Sequence, residues 1–372
     1  MTHAVQAPAD PMAAHDRAHM ARALELAARG LYTTDPNPRV GCVIVREGRV
    51  IGEGWHARAG EPHAEVLALR AAGPQARGAT VYVTLEPCSH TGRTPPCADA
   101  LIEAGVARVV CCTVDPNPKV AGAGIERLQA AAIAVSTGLF AAESRELNVG
   151  FFSRFERGRP WLRLKLAMSL DARTAPAAGG QLWISSEDSR ADVQTFRARS
   201  GAILTGAGTV RVDNPRLDVR LNYGSWIRQP RRVLLDPMLS CAASSKFFHG
   251  EGVLVFAAPD APARTHGGAT IERMPRAAGG LDLRAVIDRL TELEINELWV
   301  ECGPRLAGAF VHSQLVDELV LYIAPTLLGA DAAPLMHVTG LGPPGSLPTF
   351  EYRDVRRIGT DLRITLTPKK PQ

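Results

Sequence analysis

Three side chains have the types and the spacing of a metal site. His63 opens one helical segment, Cys88 follows an apolar strand, and Cys97 opens a second helical segment. One imidazole and two thiolates suit zinc, and a site with three protein ligands keeps a fourth position open for water. Zinc lowers the pKa of such a water from about 15.7 to about 7. The set therefore predicts a catalytic site that holds one Zn²⁺ per chain.

Glu65 is the candidate for proton transfer at this site. It lies two residues after His63, too close to bind the same ion comfortably, and it can carry a proton from water to a leaving ammonia. The H-x-E and Pro-Cys pairs are typical of zinc deaminases, although eight residues separate Cys88 from Cys97 where nucleobase deaminases have two. The alternative is that both cysteines are small buried residues and that His63 caps its helix.

The remaining cysteines and the start of the chain indicate the compartment. Seven cysteines are an odd number without a regular framework, which favours a reducing compartment and predicts a cytoplasmic protein. Residues 1–14 have no secretory pattern and are predicted to be a disordered tail, and no run of about 18 apolar residues predicts a membrane span. The cysteines that lie in apolar strands or have no ligand partner nearby are expected to be inert, and they are Cys42, Cys111, Cys112, Cys241 and Cys302.

The composition is that of a folded protein with two domains. A chain of 372 residues exceeds the roughly 100 to 200 residues of one domain, and 46% hydrophobic with 22% charged residues is ordinary for globular proteins. The net charge of +4 comes from dispersed basic residues, and aromatic residues make up only 5%. We therefore expect no nucleic-acid partner, because neither a basic tract nor a stacking surface is evident.

Hydrophobic periodicity predicts alternating strands and helices in the first part of the chain, which is typical of an α/β domain. The expected elements are a helix over 16–29, a hairpin of strands 40–45 and 50–51, a helix over 63–72, a strand over 80–85, a helix over 97–104 and a strand over 108–113. A basic stretch from Arg154 to Pro160 follows, and it places the boundary between a domain over 15–157 and a domain over 158–372.

The second domain repeats this alternation and is also expected to be α/β. Its predicted strands are 161–168, 202–205, 232–235, 253–256, 297–300 and 318–323, and its predicted helices are 186–199, 283–291 and 304–312. It has no G-x-G-x-x-G fingerprint. Gly206 to Thr209 and Gly303 to Gly308 instead follow strands and open helices, where phosphate groups bind favourably, although such glycines are more often plain turns.

Three motifs of the first domain resemble the pyrimidine deaminase of the riboflavin biosynthesis family. They are Asn37 to Cys42 (NPRVGC), Gly60 to Glu65 (GEPHAE) and Thr84 to Cys97 with its long insert. The resemblance implies a cytidine-deaminase-like domain of three layers, in which Glu65 is the proton shuttle and Asn37 and His90 face the substrate. His90 is equally open to being an ordinary exposed loop histidine.

Four segments of the second domain resemble the reductase half of the same family. They are 164–174 (LKLAMSLDART), 181–186 (QLWISS), 205–214 (TGAGTVRVDN) and 299–309 (WVECGPRLAGA). The resemblance implies a fold similar to dihydrofolate reductase that binds NADPH. Pro237 departs from the small hydroxyl residue that the family leads us to expect, and Asp236 beside it would repel a 2′-phosphate. NADPH is therefore implied by the family alone.

The resemblance also implies roles for residues of the second domain. The expected cofactor contacts are Ala167, Trp183, Thr209, Asp213, Pro237, Gly303, Pro304, Arg305, Leu306, Ala307, Gly308 and Ala309. The expected substrate contacts are Gln181, Arg197, Leu217, Arg220 and Glu301. Arg197 and Arg220 would suit a phosphate clamp, because guanidinium groups bind phosphate through two bonds, but either could be a solvated surface arginine. Lys165, Asp213 and Glu301 are the candidates for proton movement, with structural ion pairs as the alternative.

These features predict a bifunctional enzyme. The first domain would remove the ring amino group of 2,5-diamino-6-ribosylamino-4(3H)-pyrimidinone 5′-phosphate by hydrolysis. The second would use NADPH to reduce the ribosyl group of 5-amino-6-(5-phosphoribosylamino)uracil to ribityl, and we expect a homo-oligomer with no membrane partner. One rival is a nucleic-acid editing deaminase with a non-catalytic second domain. Another is a scaffold held by a closed four-ligand zinc site, for which only three convincing ligands are available.

Overall fold

The computed structural model describes residues 11–89, 96–177, 183–221, 227–343 and 347–369. Its backbone contacts divide the chain into two compact units, 1–157 and 158–372. Among the described residues, no helix combines the length and the apolar character that a membrane crossing requires.

The first unit alternates helices with short strands. Its strands are β1 (Gly41–Arg46), β2 (Arg49–Trp55), β3 (Thr80–Val83), β4 (Arg108–Cys111) and β5 (Ala134–Thr137). Its helices are α1 (Pro11–Ala28), α2 (Ala64–Ala72), α3 (Cys97–Ala104), α4 (Ala123–Ala130), α5 (Ala141–Leu147) and α6 (Val149–Arg157), with a 3₁₀ turn at Gly73–Ala76.

The described strands of this unit form one sheet in the order β2-β1-β3-β4-β5. β1 pairs antiparallel with both β2 and β3, whereas β4 and β5 continue parallel to β3. Glu47 and Gly48 both have positive φ in the predicted hairpin turn, which is the conformation that a two-residue turn of this twist requires. β2, β3, β4 and β5 therefore run in one direction, so that the helices after β2, β3 and β4 all begin at the same edge.

Side chains of the sheet alternate between two apolar layers. Val43 and Val45 pack with Met20 and Leu26 of α1 on one face. Ile44 and its neighbours on β3 and β4 pack with α2 and α3 on the opposite face. Alternate residues of a strand point to opposite faces, so a sheet covered on both sides forms three layers. This confirms the three-layer α/β fold expected from the sequence.

Glycines on β2 allow α2 to lie directly on the sheet. A Cβ atom at Gly54 would be 2.4 Å from the Ala64 carbonyl oxygen, and one at Gly52 would be 2.2 Å from the Ala68 carbonyl oxygen. Such distances are far inside normal van der Waals contact. Only glycine fits here, and this close packing fixes the position of the helix that carries Glu65.

The second unit contains longer strands and a larger sheet. Its helices are α7 (Glu187–Arg199), α8 (Ala207–Asp213), α9 (Leu283–Glu292) and α10 (Pro304–His312), with a 3₁₀ turn at Lys246–Phe248. Its strands are β6 (Trp161–Ser169), β7 (Arg173–Ala175), β8 (Ala202–Gly206), β9 (Arg231–Leu235), β10 (Val253–Ala257), β11 (Thr270–Arg273), β12 (Arg276–Ala277), β13 (Gly280–Leu281), β14 (Glu297–Glu301), β15 (Glu318–Ala324), β16 (Ala333–Pro334), β17 (Phe350–Ile358) and β18 (Asp361–Pro368).

Nine of the strands in the described ranges form one sheet, in the order β11-β10-β9-β8-β14-β6-β15-β18-β17. All neighbours from β11 to β15 are parallel, and β18 and β17 add an antiparallel edge. Leu162, Leu164 and Leu166 of β6 face the core against α9 and α10. The central parallel strands place the loops that follow them at one edge, which is where ligands bind in open α/β sheets.

Several element predictions need correction. α1 begins at Pro11, so residues 11–14 belong to this helix and not to the predicted tail, because proline suits the first helical position and alanine favours helix. The basic stretch Arg154 to Pro160 is helical as far as Arg157, since Phe151 and Phe152 bury against Leu85. Sequence periodicity also missed α4, α5, β5 and the β17–β18 hairpin, which are short or mostly polar.

Replacing Gly54 by Ala should destabilise the first unit by about 1 to 3 kcal/mol, the usual cost of overpacking a core. The added methyl group would force α2 away from β2. Calorimetric unfolding would measure the loss. Gly268→Ala is the matched control, because a Cβ atom there meets only open space among the described residues. Equal unfolding temperatures for wild type and Gly54→Ala would show that the helix is not held in this way.

Candidate active sites

Each of the three predicted zinc ligands lies at the start of a helix or after a strand of the first unit. His63 is the N-cap residue of α2 and makes no side-chain capping bond, so the alternative that it serves as a helix cap is wrong. Cys97 is the first residue of α3, directly after the N-cap Pro96. Cys88 lies in the loop after β3. The imidazole of His63 is therefore available to a ligand.

The ligand atoms of these three residues converge. One nitrogen or sulfur atom from each of His63, Cys88 and Cys97 lies within 4.8 Å of the others. Nδ1 of His63 is 3.2 Å from Sγ of Cys97 and 3.6 Å from Sγ of Cys88. Zinc bonds of about 2.0 to 2.3 Å in tetrahedral geometry separate neighbouring ligands by roughly 3.5 Å. The donor set therefore fits zinc in its chemistry and in its spacing.

Electrostatics favour the thiolate form of Cys88. The hydrogen bonds of Cys97 and His63 lower the pKa of Cys88, against the opposing effect of burial. The backbone N–H of Cys97 donates to Sγ of Cys88 over 3.3 Å. The thiolate is the form of cysteine that binds metal ions. The surroundings of Cys88 thus favour the form of its side chain that a metal ion would bind.

Glu65 is buried in the first turn of α2, beside the three ligands. Burial raises the pKa of its carboxyl group, and its nearest charged or ionisable neighbours are His63, Cys88 and Cys97. The predicted proton shuttle and the predicted ligands are therefore brought together. His90 lies outside the described residues.

Asn37 is held by a residue that the sequence analysis missed. Its Nδ2 lies 3.0 Å from Nε2 of His56, whose Nδ1 lies 3.2 Å from the Pro62 carbonyl oxygen. His56 is buried, and its ring meets that of His63 edge-on at 5.3 Å. Nothing in the spacing of His56 resembles a ligand motif. The one sequence feature that could have indicated a role for His56 is its position at the end of β2, seven residues before His63.

Three predicted polar residues of the second unit, Glu301, Arg197 and Asp213, surround Lys165. Lys165 on β6 and Glu301 on β14 are paired residues of neighbouring strands. Burial lowers the pKa of Lys165, which interacts electrostatically with Glu301, Arg197 and Asp213. Burial likewise raises the pKa of Asp213, and Lys165 opposes that rise. The structure therefore gathers the predicted residues for proton movement into one cluster.

Arg197 is not a free phosphate clamp. Its guanidinium donates from Nε to Oε1 of Glu301 over 2.6 Å and from Nη2 to Oε2 over 2.9 Å. The pair is buried, and Nε1 of Trp299 also donates to Oε1 of Glu301 over 2.8 Å. Burial alone would raise the pKa of Glu301, but Arg197 lowers it to about 2. Glu301 is therefore a member of a structural ion pair, and Arg197 is buried and is not a solvated surface arginine.

Arg220 has the open position that a clamp needs. Its side chain is 53% exposed, and Nη1 donates to Oδ1 of Asp218 over 2.7 Å. Arg216 contacts the other oxygen of the same carboxylate over 2.9 Å. Leu217 between them is buried in the core, which leaves its backbone as the part that can face a substrate. Gln181 lies outside the described residues.

The predicted cofactor contacts follow the carboxyl ends of neighbouring strands. Ala167 lies near the end of β6, Gly303 is the N-cap of α10 after β14, Thr209 lies in α8 after β8, and Pro237 follows β9. These four strands are adjacent and parallel. The positions therefore form a row along one edge.

Some residues of the predicted cofactor set are not exposed at the carboxyl edge of the sheet. Ala307 is buried, and a Cβ atom at Gly308 would lie 1.7 Å from the His337 carbonyl oxygen, so both serve packing. Trp183 of the same set, by contrast, is 67% exposed. The Arg190 guanidinium lies 5.0 Å from the centre of its ring.

Comparison with known proteins defines both units. Residues 13–113 match the cytidine and deoxycytidylate deaminase zinc-binding region, and residues 160–364 match the RibD C-terminal domain. Together with the converging ligands of the first unit, these matches define a deaminase joined to a reductase domain. The chain belongs to the RibD family of riboflavin biosynthesis proteins.

Relatives and solved structures agree over almost the whole chain. The riboflavin biosynthesis protein RibD of Escherichia coli (strain K12) is 49% identical, covering 94% of this chain and 99% of that protein, and the Haemophilus influenzae protein is 43% identical, covering 95% and 98%. Acinetobacter baumannii RibD superposes with a TM-score of 0.90 at 41% identity, covering 96% of this chain and 100% of the other.

A Thermotoga maritima structure described as a diaminohydroxyphosphoribosylaminopyrimidine deaminase/5-amino-6-(5-phosphoribosylamino)uracil reductase has a TM-score of 0.84 at 32% identity, covering 96% and 100% of the two chains. The resemblance, the fold class and the bifunctional deaminase-reductase assignment are thereby confirmed. The editing deaminase with a non-catalytic second domain is not supported, because the second unit matches a reductase domain.

The Arg197–Glu301 pair should be strongly coupled. Arg197→Met or Glu301→Gln alone leaves one buried charge unpaired and should cost about 3 to 5 kcal/mol in unfolding free energy. The double variant should cost less than the sum, as a double-mutant cycle would measure. Since the pKa of Glu301 is lowered to about 2 from its usual 4.5, this stabilisation should be complete above about pH 4.5 and lost as pH falls towards 2.

The exposed Arg276–Asp260 pair provides the control for this cycle. It has similar two-bond geometry at 2.8 and 2.9 Å, but both side chains are largely exposed. We expect little or no coupling there, because solvent screens exposed pairs. Additive effects at Arg197 and Glu301 would contradict a buried, interdependent pair.

Proposed function

We propose that the first unit deaminates 2,5-diamino-6-ribosylamino-4(3H)-pyrimidinone 5′-phosphate at a site where His63, Cys88 and Cys97 hold one Zn²⁺. The observation that carries this proposal is the convergence of the three ligand atoms within 4.8 Å beside the buried Glu65. The Thermotoga maritima relative is itself named as a deaminase of a phosphoribosylaminopyrimidine, which is the same class of reaction. The three ligands leave a position for water, as catalytic zinc sites do.

Bound zinc would supply a water of lowered pKa at neutral pH. Glu65 would take a proton from the attacking water and deliver it to the departing amino group, while a C–O bond replaces the C–N bond and ammonia leaves. Its place in the first turn of α2 puts the carboxyl group beside the ligands without making it one of them.

Asn37 orients the pyrimidine in this proposal. His56 accepts the bond from Nδ2 of Asn37, which fixes the amide and leaves Oδ1 as its remaining acceptor. A carbonyl acceptor suits the N–H groups of a diaminopyrimidine. His90 remains a proposed substrate contact.

In the second unit, NADPH would transfer a hydride to C1′ of the ribosyl group in its open imine form. A C–H bond forms at C1′, and the imine nitrogen takes a proton. Lys165 is the proposed donor, because burial has already lowered the pKa of its ammonium group. Glu301 stays ionised and holds Arg197 and Lys165 in place. Asp213 interacts electrostatically with Lys165.

The surroundings of Pro237 support NADPH over NADH. Asp236 is buried, and its carboxylate accepts from Ser240 Oγ and the Cys241 N–H. It is therefore turned away from a ligand that lies over Pro237. Arg211 of α8 donates to Ser240 Oγ over 2.5 Å, which provides a cation for a 2′-phosphate beside this loop. The proposed cofactor contacts remain those predicted along the carboxyl edge.

Further parts of the proposal concern the setting of the enzyme. The two catalytic domains are proposed to span 15–157 and 158–372, and the enzyme to act in the cytoplasm as a homo-oligomer without nucleic acid. The absence of disulfides among the seven cysteines, all within the described ranges, is consistent with a reducing compartment.

Purified protein supplied with the diaminopyrimidine substrate should release ammonia, oxidise NADPH and contain about one zinc per chain. Glu65→Gln should keep the zinc and reduce ammonia release by at least about 100-fold, because an amide cannot carry the proton. Its NADPH oxidation with the already deaminated substrate should equal that of the wild type. Enzymatic ammonia detection, absorbance at the NADPH band and elemental analysis measure these quantities.

Cys88→Ser is the companion variant and should lose both the zinc and ammonia release while retaining the reductase activity. Retention of full zinc in both Cys88→Ser and Cys97→Ser would remove the basis of the metal assignment. Ammonia release at the wild-type rate in Glu65→Gln would assign the proton transfer to another residue.

Arg220→Ala should raise the KM for the phosphorylated substrate of the reductase by about 10- to 100-fold. This corresponds to losing one charge-assisted hydrogen bond of about 1.5 to 3 kcal/mol. The KM for NADPH should change little, and steady-state kinetics measure both. Arg276→Ala removes an exposed arginine elsewhere in the unit and serves as the control. A selective loss of NADPH affinity in Arg220→Ala would reassign this arginine to the cofactor.

A further inference from the structure

Glu86 is a buried acidic residue for which the proposed chemistry has no use. It lies two residues before Cys88 and is only 3% exposed. In the described part of the chain no cation pairs with it. A buried carboxylate without a counter-ion is costly unless hydrogen-bond donors surround it. The residues around Glu86 must therefore supply those donors.

Four backbone N–H groups bind its carboxylate. Oε1 accepts from Gly124 over 2.9 Å and from Ile125 over 3.2 Å, both in the first turn of α4. Oε2 accepts from Gly122 over 2.9 Å and from Asp115 over 3.0 Å. A carboxylate at a helix N-terminus is stabilised both by the free N–H groups and by the helix dipole. Glu86 thus joins the chain before Cys88 to the start of α4.

The backbone beside Glu86 is in equally close contact with α4. A Cβ atom at Gly124 would lie 1.9 Å from the Pro87 carbonyl oxygen. Only glycine allows the helix to approach this carbonyl. The segment Glu86-Pro87 is therefore held against α4 by hydrogen bonds on one side and by direct backbone packing on the other.

Cys88 is connected to α3 from its other side. Its carbonyl oxygen accepts from the Ala98 N–H over 3.1 Å, and its Sγ accepts from the Cys97 N–H over 3.3 Å. Cys88 thus lies between the N-termini of two helices. Its connection to α3 is direct, whereas its connection to α4 runs through Glu86 and Pro87.

We propose that Glu86 is a positioning residue that sets Sγ of Cys88 at the distance from His63 and Cys97 that zinc requires. The inference rests on the zinc site proposed above. Removing partners that orient a metal ligand typically costs about 10- to 100-fold in metal affinity. Glu86 acts on the ligand through the backbone, so its loss should loosen the metal site without removing a ligand.

Zinc release from the full-length, zinc-loaded protein tests this role. Glu86→Gln keeps one acceptor oxygen but turns an amide NH₂ towards two backbone N–H groups. We expect it to release zinc to a chelator at least about 10-fold faster than the wild type. The cobalt-substituted protein should show shifted visible bands, because the Cys88 thiolate moves. Ammonia release should fall, while NADPH oxidation with the deaminated substrate should stay unchanged.

Glu126→Gln is the matched control. Glu126 lies in the same first turn of α4 but is exposed, so its variant should match the wild type in zinc release and cobalt spectrum. Gly124→Ala is a second test of the connection between α4 and Cys88, because it displaces Pro87 while leaving Glu86 intact. This variant should also release zinc faster. Zinc release and spectra like those of the wild type in both Glu86→Gln and Gly124→Ala would overturn the inference. A wild-type protein without zinc would instead contradict the proposed function.

Discussion

Both candidate sites depend on one constraint, the common direction of neighbouring strands. In the first unit β2, β3 and β4 run the same way. The helices that follow them must therefore begin at the same edge of the sheet. Those helix starts carry His63, Cys97 and the backbone donors of α4 that bind Glu86. The pairing of the strands thus brings together residues that are far apart in the chain.

The same constraint acts in the second unit with different chemistry. β6, β14, β8 and β9 are adjacent and parallel, so their carboxyl ends form one edge. The cluster of Lys165, Glu301 and Arg197 lies where β6 and β14 approach that edge. Helix N-termini provide N–H donors there, whereas the buried ion pair provides a fixed charge beside Lys165. Burial lowers the pKa of Lys165, whereas the ionised Glu301 opposes that lowering.

Sequence reasoning predicted α3 and α10 with their observed bounds, because each combines strong apolar periodicity with a proline at its start and a clear end. It missed α4, which is short, and whose partner Glu86 lies far away in the chain. It predicted a phosphate contact for Arg197 without foreseeing its ion pair. Nothing in the local sequence shows that Glu301, 104 residues later, takes up both edges of its guanidinium group.

The sequence by itself determined the family and the two-domain α/β organisation, and it singled out His63, Cys88 and Cys97 as the proposed ligand set, because these follow from residue types and short spacings. The tertiary structure alone decided which of the predicted polar groups are already paired and which are open. It paired Arg197 with Glu301, left Arg220 exposed, and placed His56 against Asn37. The physical reason is that hydrogen bonds and ion pairs form between atoms close in space, and packing of the sheet and its helices brings those atoms together.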